Sequence, residues 1–508
     1  MYTQFPYSVP TTGGWRDEFP LLCSDNGTVI PGNQSTYGAD WHTLHDTLDW
    51  IRRYQQSQTN SSNDDDHKPF FVYQGMNIVH PPYVTNEYYY NKIDPSKIQI
   101  PKLVPLQDMH PCDFQSSMMK GCLPSLNNAT DVKHYYSDDR RRNVRRIYYA
   151  MIAEFDAMVG AYMNAIRDLG EWENTVFIVT SDHGDMQMEH QQSYKMVPYD
   201  ASSSVPLVIY DGRRHISTST NNNSNNGYDS DQRNGRGQQS RQREGSGGHV
   251  IDIPTQLIDL YPTIMDLTGM SPRDYPKDKL DGHSLLPLMK DGNDDNNPDQ
   301  ASKTKTTTRP DFVVSQFHGD NIAMSWFLIV RPMPCSRIKF GQAGDLIGTE
   351  NARHAIEQMR GHFFTAATDK AEMCTMKLVI WGTGHEVDSQ LFDLTHDPDE
   401  MTNLIHHASY RSTVSSLEQS LRSVVFYPTV AQDVADYNLA SLKNWIEVVG
   451  DPQWRSAIHS NDLRWADSWD VDSAGTFQAL EAFLNTTKAK ILPCRGDLLW
   501  PLEAAEPS

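Results

Sequence analysis

Asp182 and His183 stand side by side directly after the apolar run 175–180, and Gly184 follows them. That run, TVFIVT, is typical of a strand that is covered on both faces. Sites in open α/β sheets form beyond the carboxyl ends of such strands, where a glycine lets the backbone turn sharply. A carboxylate beside an imidazole can bind a divalent cation there. Equally, Asp182 could cap the next helix and His183 could be a surface residue, and the spacing alone leaves both interpretations open.

Two further side chains could take part in the same chemistry. Lys195 lies among apolar neighbours, and a lysine near a cation site can bind an anionic oxygen, although a solvated helix lysine is the more frequent case. His80 opens the loop His80-Pro81-Pro82-Tyr83, whose prolines fix the backbone and could aim the imidazole over the sheet edge as a general acid or anion donor. Taken alone, such a loop is more often a turn.

The elements that must position these residues alternate along the chain. Apolar residues recur every three or four positions from 145 to 169, which predicts a long helix. Apolar runs predict strands at 70–73, 175–180 and 205–210, and a helix at 253–268 that ends at Gly269. This β-α-β order predicts an α/β fold with a doubly wound, mostly parallel sheet flanked by helices.

The pattern changes beyond residue 310. Short strands are predicted at 312–317, 326–330, 377–381 and 390–394, and helices near 412–424 and 434–448. These elements predict a smaller α+β domain.

Three polar, low-complexity stretches interrupt the pattern, at 56–67, 215–248 and 291–309. They contain too few apolar side chains to offset the entropy lost on ordering. The predicted organisation is an N-terminal remnant and linker at 1–67, an α/β domain at 68–290 with an insertion at 215–248, and a C-terminal α+β domain at 310–508.

Composition excludes several classes of protein. Among 508 residues, 38% are hydrophobic and 21% charged, which excludes wholesale disorder. The net charge of −21 argues against a nucleic-acid-binding protein, and no apolar run is long enough to predict a membrane span. The six cysteines include no C-x-x-C pair, so a structural zinc site is not expected. Their even number permits disulfides without assigning them.

The compartment is only weakly indicated. N-x-S/T sequons give some support to a secretory route; they begin at Asn26, Asn33, Asn60, Asn128, Asn222 and Asn485. The first residues, MYTQFPYSVPTTGG, contain neither a basic n-region nor an apolar h-region, so we expect no signal peptide in this chain as written.

Taken together, the His-Pro loop, the Asp-His-Gly segment and the downstream lysine resemble the sulfatase branch of the alkaline phosphatase superfamily in type and order. Further matching segments lie at 109–111, 148–151, 188–190, 194–196, 259–263, 281–287, 315–319, 391–394, 397–400, 403–404 and 463–465. The resemblance runs from about Trp41 to about Leu484, apart from the low-complexity insertions.

The resemblance implies a sulfuric ester hydrolase that releases sulfate from a sulfated glycan, at uronate residues of glycosaminoglycans, or from an aryl sulfate. It implies that Asp182 and His183 hold Ca²⁺ and that Lys195 binds the sulfate and neutralises its developing charge. His80 would assist there or at the leaving oxygen, and His318 is a weaker candidate for substrate contact. A lysosomal or secreted location is also implied.

The resemblance further implies a formylglycine nucleophile, which the formylglycine-generating enzyme makes from the cysteine of C-x-P-S-R or C-x-A-S-R. Neither motif occurs in the chain. The segment Cys122-Leu123-Pro124-Ser125-Leu126 comes nearest, but Leu126 replaces the arginine and the segment follows the His-Pro loop. We therefore expect the nucleophile, with two further metal-binding aspartates, to be absent from this chain. Two alternatives remain open: a catalytically inactive sulfatase-like protein, and a phosphatase or phosphodiesterase of the same superfamily.

Overall fold

The computed structural model of the chain describes residues 27–59, 69–105, 108–119, 136–213, 250–251, 253–270, 280–290, 309–318, 325–335 and 373–449. These residues divide into two compact units. The first consists of the described residues up to 213 together with 440–449, and the second of those from 250 to 439. The predicted domain boundaries remain a prediction, and the insertion at 215–248 and the Cys122 segment lie outside the described residues.

The described residues form ten strands and nine α-helices. The strands are β1 Thr28–Ile30, β2 Val84–Asn86, β3 Val176–Thr180, β4 Met186–Gln187, β5 Ser193–Tyr194, β6 Leu207–Asp211, β7 Val313–Phe317, β8 Trp326–Pro334, β9 Met373–Trp381 and β10 Gln390–Asp393. The helices are α1 Gly38–Thr59, α2 Glu87–Tyr90, α3 Pro111–Met119, α4 Asp138–Asp168, α5 Asp200–Ser203, α6 Leu260–Leu267, α7 Leu286–Lys290, α8 Arg411–Val424 and α9 Tyr427–Val449. None of the helices in these described ranges is both long and apolar enough to cross a membrane.

Helix α4 forms the centre of the first unit. Its buried positions, which include Ile147, Met151 and Met158, follow the three- and four-residue spacing that predicted it, and they share a core with α1. Ser137 caps the first turn, where its hydroxyl accepts a hydrogen bond from the Arg140 N–H. The predicted helix at 145–169 is therefore confirmed.

Strands β3 and β6 pair antiparallel, with Thr180 opposite Leu207 and Val176 opposite Asp211. The predicted strands are present, but the expectation that they run parallel is wrong for this pair. A parallel pair needs a connection that carries the chain back to the start of the first strand. Here residues 181–206 fold as a hairpin and a short helix, so the chain enters β6 beside the end of β3.

The predicted strand at 70–73 is not formed. Phe70 and Val72 pack against the core of the first unit, whereas Phe71 and Tyr73 are exposed by 69% and 86%. The side chains alternate between buried and exposed as in a strand, but the segment has no ladder partner within the part of the chain that the structure describes. The apolar run therefore predicted a buried strand wrongly.

The second unit contains a four-stranded antiparallel sheet in the order β10-β9-β8-β7. Phe327 and Leu378 on its inner face are fully buried and share a core with Leu417 and Leu421 of α8. A disulfide joins Cys335 and Cys374. The predicted α+β character of this part of the chain is confirmed, with strand and helix bounds close to those expected.

Asp259 organises the start of the second unit. Its carboxylate accepts hydrogen bonds from the N–H groups of Gln256 and His283, at 3.0 and 2.8 Å, and lies 2.7 Å from the guanidinium of Arg309. The carboxylate is fully buried, and each of these donors offsets the cost of removing its charge from water. The buried carboxylate of Asp259 therefore connects the 259–263 segment to the 281–287 segment.

Candidate active site

Asp182 and His183 lie in the turn that follows β3. The Asp182 carboxylate accepts a hydrogen bond from the His183 N–H at 3.0 Å, and its other oxygen lies 3.4 Å from His183 Nε2. The Ser181 hydroxyl donates to the His183 carbonyl oxygen at 2.7 Å. These local bonds hold the two side chains together at the carboxyl end of the strand, while the Asp182 side chain remains 83% exposed.

Gly184 allows the turn to lie directly on α5. Its N–H donates to the Ser202 carbonyl oxygen at 2.8 Å. A Cβ at this position would come 2.2 Å from the Ala201 carbonyl oxygen, so any other residue requires the backbone to move. The glycine is needed for this close approach of two backbones.

The β4–β5 hairpin returns the chain to His183. Met186 pairs with Tyr194, and the following residue, Lys195, places its Nζ 2.6 Å from His183 Nε2. His183 Nδ1 lies 2.8 Å from the Gly184 carbonyl oxygen, which can only accept a hydrogen bond. The imidazole therefore carries its proton on Nδ1, and its Nε2 lone pair accepts a hydrogen bond from the lysine ammonium.

His80 is connected to the same hairpin through Tyr194. His80 Nε2 lies 2.8 Å from the Tyr194 hydroxyl, and its Nδ1 lies 2.7 Å from the Pro81 carbonyl oxygen. The Lys195 ammonium lies 4.5 Å from the centre of the Tyr194 ring, within cation–π range. Tyr194 thus stands between the histidine and the lysine.

Burial and charge together set the protonation of this cluster. Desolvation lowers the pKa of His183; the hydrogen bond to Gly184 and the charge of Asp182 oppose this shift, whereas the Lys195 charge adds to it. Desolvation also lowers the pKa of Lys195, against the favourable charges of Asp182 and Asp185. Near neutral pH the arrangement is a neutral imidazole beside a cationic ammonium.

Polar side chains of Tyr83 and of helix α4 hold the β4–β5 hairpin in place. The Tyr83 hydroxyl lies 3.2 Å from the Asp185 carboxylate and accepts a hydrogen bond from the Gln187 side chain at 3.0 Å. Arg145 of α4 forms an ion pair with Glu189 and donates to the Gln187 carbonyl oxygen at 3.1 Å. These contacts connect the hairpin to the long helix.

The structure brings together Asp182, His183, Lys195 and, through Tyr194, His80. Sequence reasoning missed Tyr194 and Asp185 as parts of the cluster. A tyrosine directly before the candidate lysine and an acid two residues after His183 were the available signals. Neither residue type is distinctive, since tyrosines and acids are frequent in this chain.

The described residues do not by themselves complete a calcium site. Ca²⁺ takes six to eight oxygen ligands, whereas this turn offers one exposed carboxylate and one imidazole nitrogen. The His183 lone pair is also directed at a lysine ammonium. Asp182 and His183 can therefore contribute to a divalent cation site only together with further ligands.

His318 lies in the second unit, directly after β7. Its Nδ1 lies 2.8 Å from the Ser325 hydroxyl, its ring packs edge-on against Phe327, and its buried Nε2 has no hydrogen-bond partner among the residues that the structure describes. Burial lowers the pKa of His318. Its role in contacting substrate remains a prediction.

Comparison with known proteins identifies the class. A family model described as Sulfatase matches residues 38–270, which hold the His-Pro loop, the strand-end pair and the lysine. This segment of the chain is similar to the sulfatase family. Sulfatases are sulfuric ester hydrolases, and the family is generally metal-dependent.

The chain is similar to arylsulfatase K. It is 27% identical over 503 residues to arylsulfatase K of Danio rerio, covering 95% of this chain and 75% of that protein. Against arylsulfatase K of Bos taurus it is 30% identical over 443 residues, covering 85% of this chain and 62% of that protein. A solved phosphonate monoester hydrolase of Agrobacterium radiobacter aligns with a TM-score of 0.43 and 20% identity, covering 75% of this chain and 59% of that structure. The chain thus spans less than two thirds of the bovine relative and of the hydrolase structure.

Proposed function

We propose that this chain forms the sulfate-binding part of a sulfatase that acts on 2-sulfated uronate residues of glycosaminoglycans, as its similarity to arylsulfatase K suggests. The observation that carries the proposal is the pairing of Lys195 Nζ with His183 Nε2 at 2.6 Å, with His80 connected to the same hairpin through Tyr194. The ammonium of Lys195 has further N–H donors besides the one that faces His183, and it suits a tetrahedral sulfate anion.

Each side chain has a role in this proposal. Lys195 donates to a non-bridging sulfate oxygen and neutralises the charge that develops on it. His80 is proposed to assist at the sulfate or at the leaving oxygen. Because its Nδ1 faces the Pro81 carbonyl oxygen and its Nε2 faces the Tyr194 hydroxyl, it donates there only after Nε2 takes up a proton and the contact with Tyr194 opens. Asp182 and His183 contribute ligands to the metal of the family, with Ca²⁺ as the proposed ion. His318 is proposed to contact the sugar.

The nucleophile is the remaining part of the proposed chemistry. Sulfatases attack sulfur with formylglycine, and no C-x-P-S-R or C-x-A-S-R motif for the formylglycine-generating enzyme occurs in these 508 residues. Lys195, His80, Asp182 and His183 have roles in binding and neutralising the sulfate, and none of them is proposed as the covalent nucleophile. We therefore expect the chain alone to bind the sulfated sugar without hydrolysing it. A lysosomal or secreted location fits this substrate.

The first test is binding of a 2-sulfated glucuronate disaccharide and of its desulfated form, measured by isothermal titration calorimetry. Lys195→Ala should weaken binding of the sulfated sugar about tenfold or more, because a charge-assisted hydrogen bond contributes about 1.5–3 kcal/mol. Lys97→Ala, on an exposed 3-10 turn of the same unit, is the matched control and should change nothing. Equal affinity for the two sugars would contradict the proposal.

The second test distinguishes an enzyme part from its alternatives. The nucleophile-bearing segment of an arylsulfatase K relative is fused to the chain and expressed with the formylglycine-generating enzyme. Sulfate release that disappears in Lys195→Ala supports the proposal. Phosphate release in its place would favour a phosphatase, and binding without any turnover would favour an inactive sulfatase-like protein. Tyr194→Phe keeps the aromatic ring near Lys195 and should reduce turnover only modestly, because it removes one hydrogen bond to His80.

A further inference from the structure

Three strands of the second unit bring together side chains that can bind a metal, and none of them belongs to the residues of the candidate active site. Cys335 follows the end of β8, and Cys374 lies near the start of β9, where it pairs with Met333. Asp393 ends β10 and lies opposite Met376 of β9, and His396 follows in the next turn. The two sulfurs, the carboxylate and the imidazole therefore meet at one end of the antiparallel sheet.

The distances within this group suit a small cation. His396 Nδ1 lies 2.8 Å from Asp393 Oδ2 and 3.7 Å from Cys374 Sγ, and one potential ligand atom from each of these residues lies within 4.8 Å of the others. The sulfur of Cys335 is bonded directly to that of Cys374. Zinc–ligand bonds of about 2.0–2.3 Å separate the ligand atoms of a tetrahedral site by roughly 3.3–3.8 Å. Asp393, His396 and Cys374 therefore lie near such a spacing. The Cys335 sulfur is not in this group of mutually close atoms, so its side chain must rotate toward Asp393 and His396 after the disulfide is broken.

The surroundings hold these ligands in place. The Asp393 side chain is only 4% exposed, and its Oδ1 accepts a hydrogen bond from the Thr395 N–H at 3.1 Å, so its Oδ2 remains directed at His396. Cys374 is buried in the core of the sheet, whereas the His396 side chain is 38% exposed. The group thus has a fixed interior and one side that ions can reach from solvent.

We propose that Cys335, Cys374, Asp393 and His396 form a Zn²⁺ site when the Cys335–Cys374 disulfide is reduced. In the disulfide neither sulfur is a thiolate, and the thiolate is the form that binds zinc. Two thiolates, an imidazole and a carboxylate are a donor set that selects zinc over calcium or magnesium, which prefer oxygen ligands. The disulfide and the zinc site are therefore alternative states of the same four residues.

The reduction balances with a phosphine as the electron donor. A water-soluble trialkylphosphine takes the oxygen of one water molecule and becomes a phosphine oxide. The S–S bond breaks as the disulfide receives two electrons and two protons, which gives two thiols. Zn²⁺ then displaces the two thiol protons to solvent as the two Zn–S bonds form.

This site could not be found from motif spacing. Zinc motifs pair ligands at short intervals such as C-x-x-C, whereas these cysteines are 39 residues apart. Of the other two ligands, Asp393 ends a third strand and His396 lies in the turn after it. The four residues are brought close together by the antiparallel pairing of β9 with β8 and with β10.

The test is a zinc titration of the full chain in competition with a chromophoric chelator, before and after phosphine treatment. The reduced chain should bind one further equivalent of Zn²⁺, at least 100-fold more tightly than the oxidised chain does. His396→Ala should weaken that binding about 10- to 100-fold. Because the His396 side chain is partly exposed, this variant should fold, which circular dichroism checks. His406→Ala, an exposed histidine of the same unit that pairs with Asp388, is the control and should bind zinc as the unaltered chain does.

Cobalt provides an independent readout, since thiolate ligands give Co²⁺ an intense near-ultraviolet charge-transfer band. The reduced chain should show this band, and the double variant Cys335→Ser, Cys374→Ser, which keeps the other four cysteines, should lose it. The proposal is overturned if that double variant binds zinc as tightly as the reduced chain. It is also overturned if His396→Ala leaves both the zinc affinity and the cobalt spectrum unchanged.

Discussion

The hairpin of the first unit and the sheet of the second unit hold their polar groups in different ways. The hairpin strands β4 and β5 have two residues each, and the backbone of its turn and exit takes positive φ at Met188, His190, Gln191, Tyr194 and Met196. In the second unit, β8 and β9 have nine residues each and a continuous ladder. Few ladder bonds fix the hairpin, so its geometry depends on individual side-chain contacts and on close backbone packing. The sheet of the second unit is instead stabilised by the packing of its buried side chains against α8.

The largest expected effect is a loss of unfolding free energy in the second unit. Phe327→Ala removes a fully buried ring from the core between the sheet and α8, and it should lower the free energy of unfolding of this unit by about 3–5 kcal/mol. Denaturant unfolding combined with amide hydrogen exchange measures the loss and assigns it to β8 and β9. Val424→Ala, at an exposed position at the end of α8, should change the unfolding free energy by less than about 0.5 kcal/mol. If Phe327→Ala lowers the unfolding free energy by less than about 1 kcal/mol, the sheet of the second unit is not stabilised mainly by its core.

An intermediate effect is expected at the hairpin. Gly184→Ala places a methyl group against the Ala201 carbonyl oxygen and should cost about 1–3 kcal/mol, because backbone must shift to make room. The displacement should also separate Lys195 from His183, which NMR of the imidazole can detect. Gly160→Ala is the matched control: it lies within α4 with open space around it, and it should stabilise the helix by about 0.5–1 kcal/mol. Equal behaviour of the two variants would show that the close approach at Gly184 is unimportant.

The smallest effect is a pH dependence in the second unit. Burial lowers the pKa of His318, so the unfolded chain takes up this proton first as the pH falls through the ordinary histidine value of about 6.5. The folded state therefore loses stability on acidification until the pH passes the lowered value. His318→Gln should flatten the fall in unfolding free energy between about pH 7 and pH 5, measured by denaturant titration. His385→Gln, an exposed histidine of the same unit, should leave that slope unchanged, and an unchanged slope in His318→Gln would count against a buried neutral imidazole.

Local patterns predicted most helices and strands correctly. The helix at 145–169 and the strands of the second unit follow from side-chain periodicity, which depends on neighbouring residues only. Side-chain periodicity did not predict the relative direction of β3 and β6. They are antiparallel because of the path that residues 181–206 take between them. The segment 70–73 has the alternation of a strand, but pairing requires a second strand that its own sequence does not specify.

The candidate site also has features that the sequence predicted and features that only the structure shows. Residue types and their order pointed to Asp182, His183, Lys195 and His80 because the three segments together resemble the sulfatase family. Taken singly, each residue left a structural role open. The contact between His80 and Tyr194 joins residues 114 positions apart, and the Cys335–Cys374 bond spans 39. The amino-acid sequence by itself determined which chemical groups this protein carries and where most of its helices and strands lie. Only the tertiary structure decided which groups meet, because distances between residues far apart in the chain are set by strand pairing and core packing.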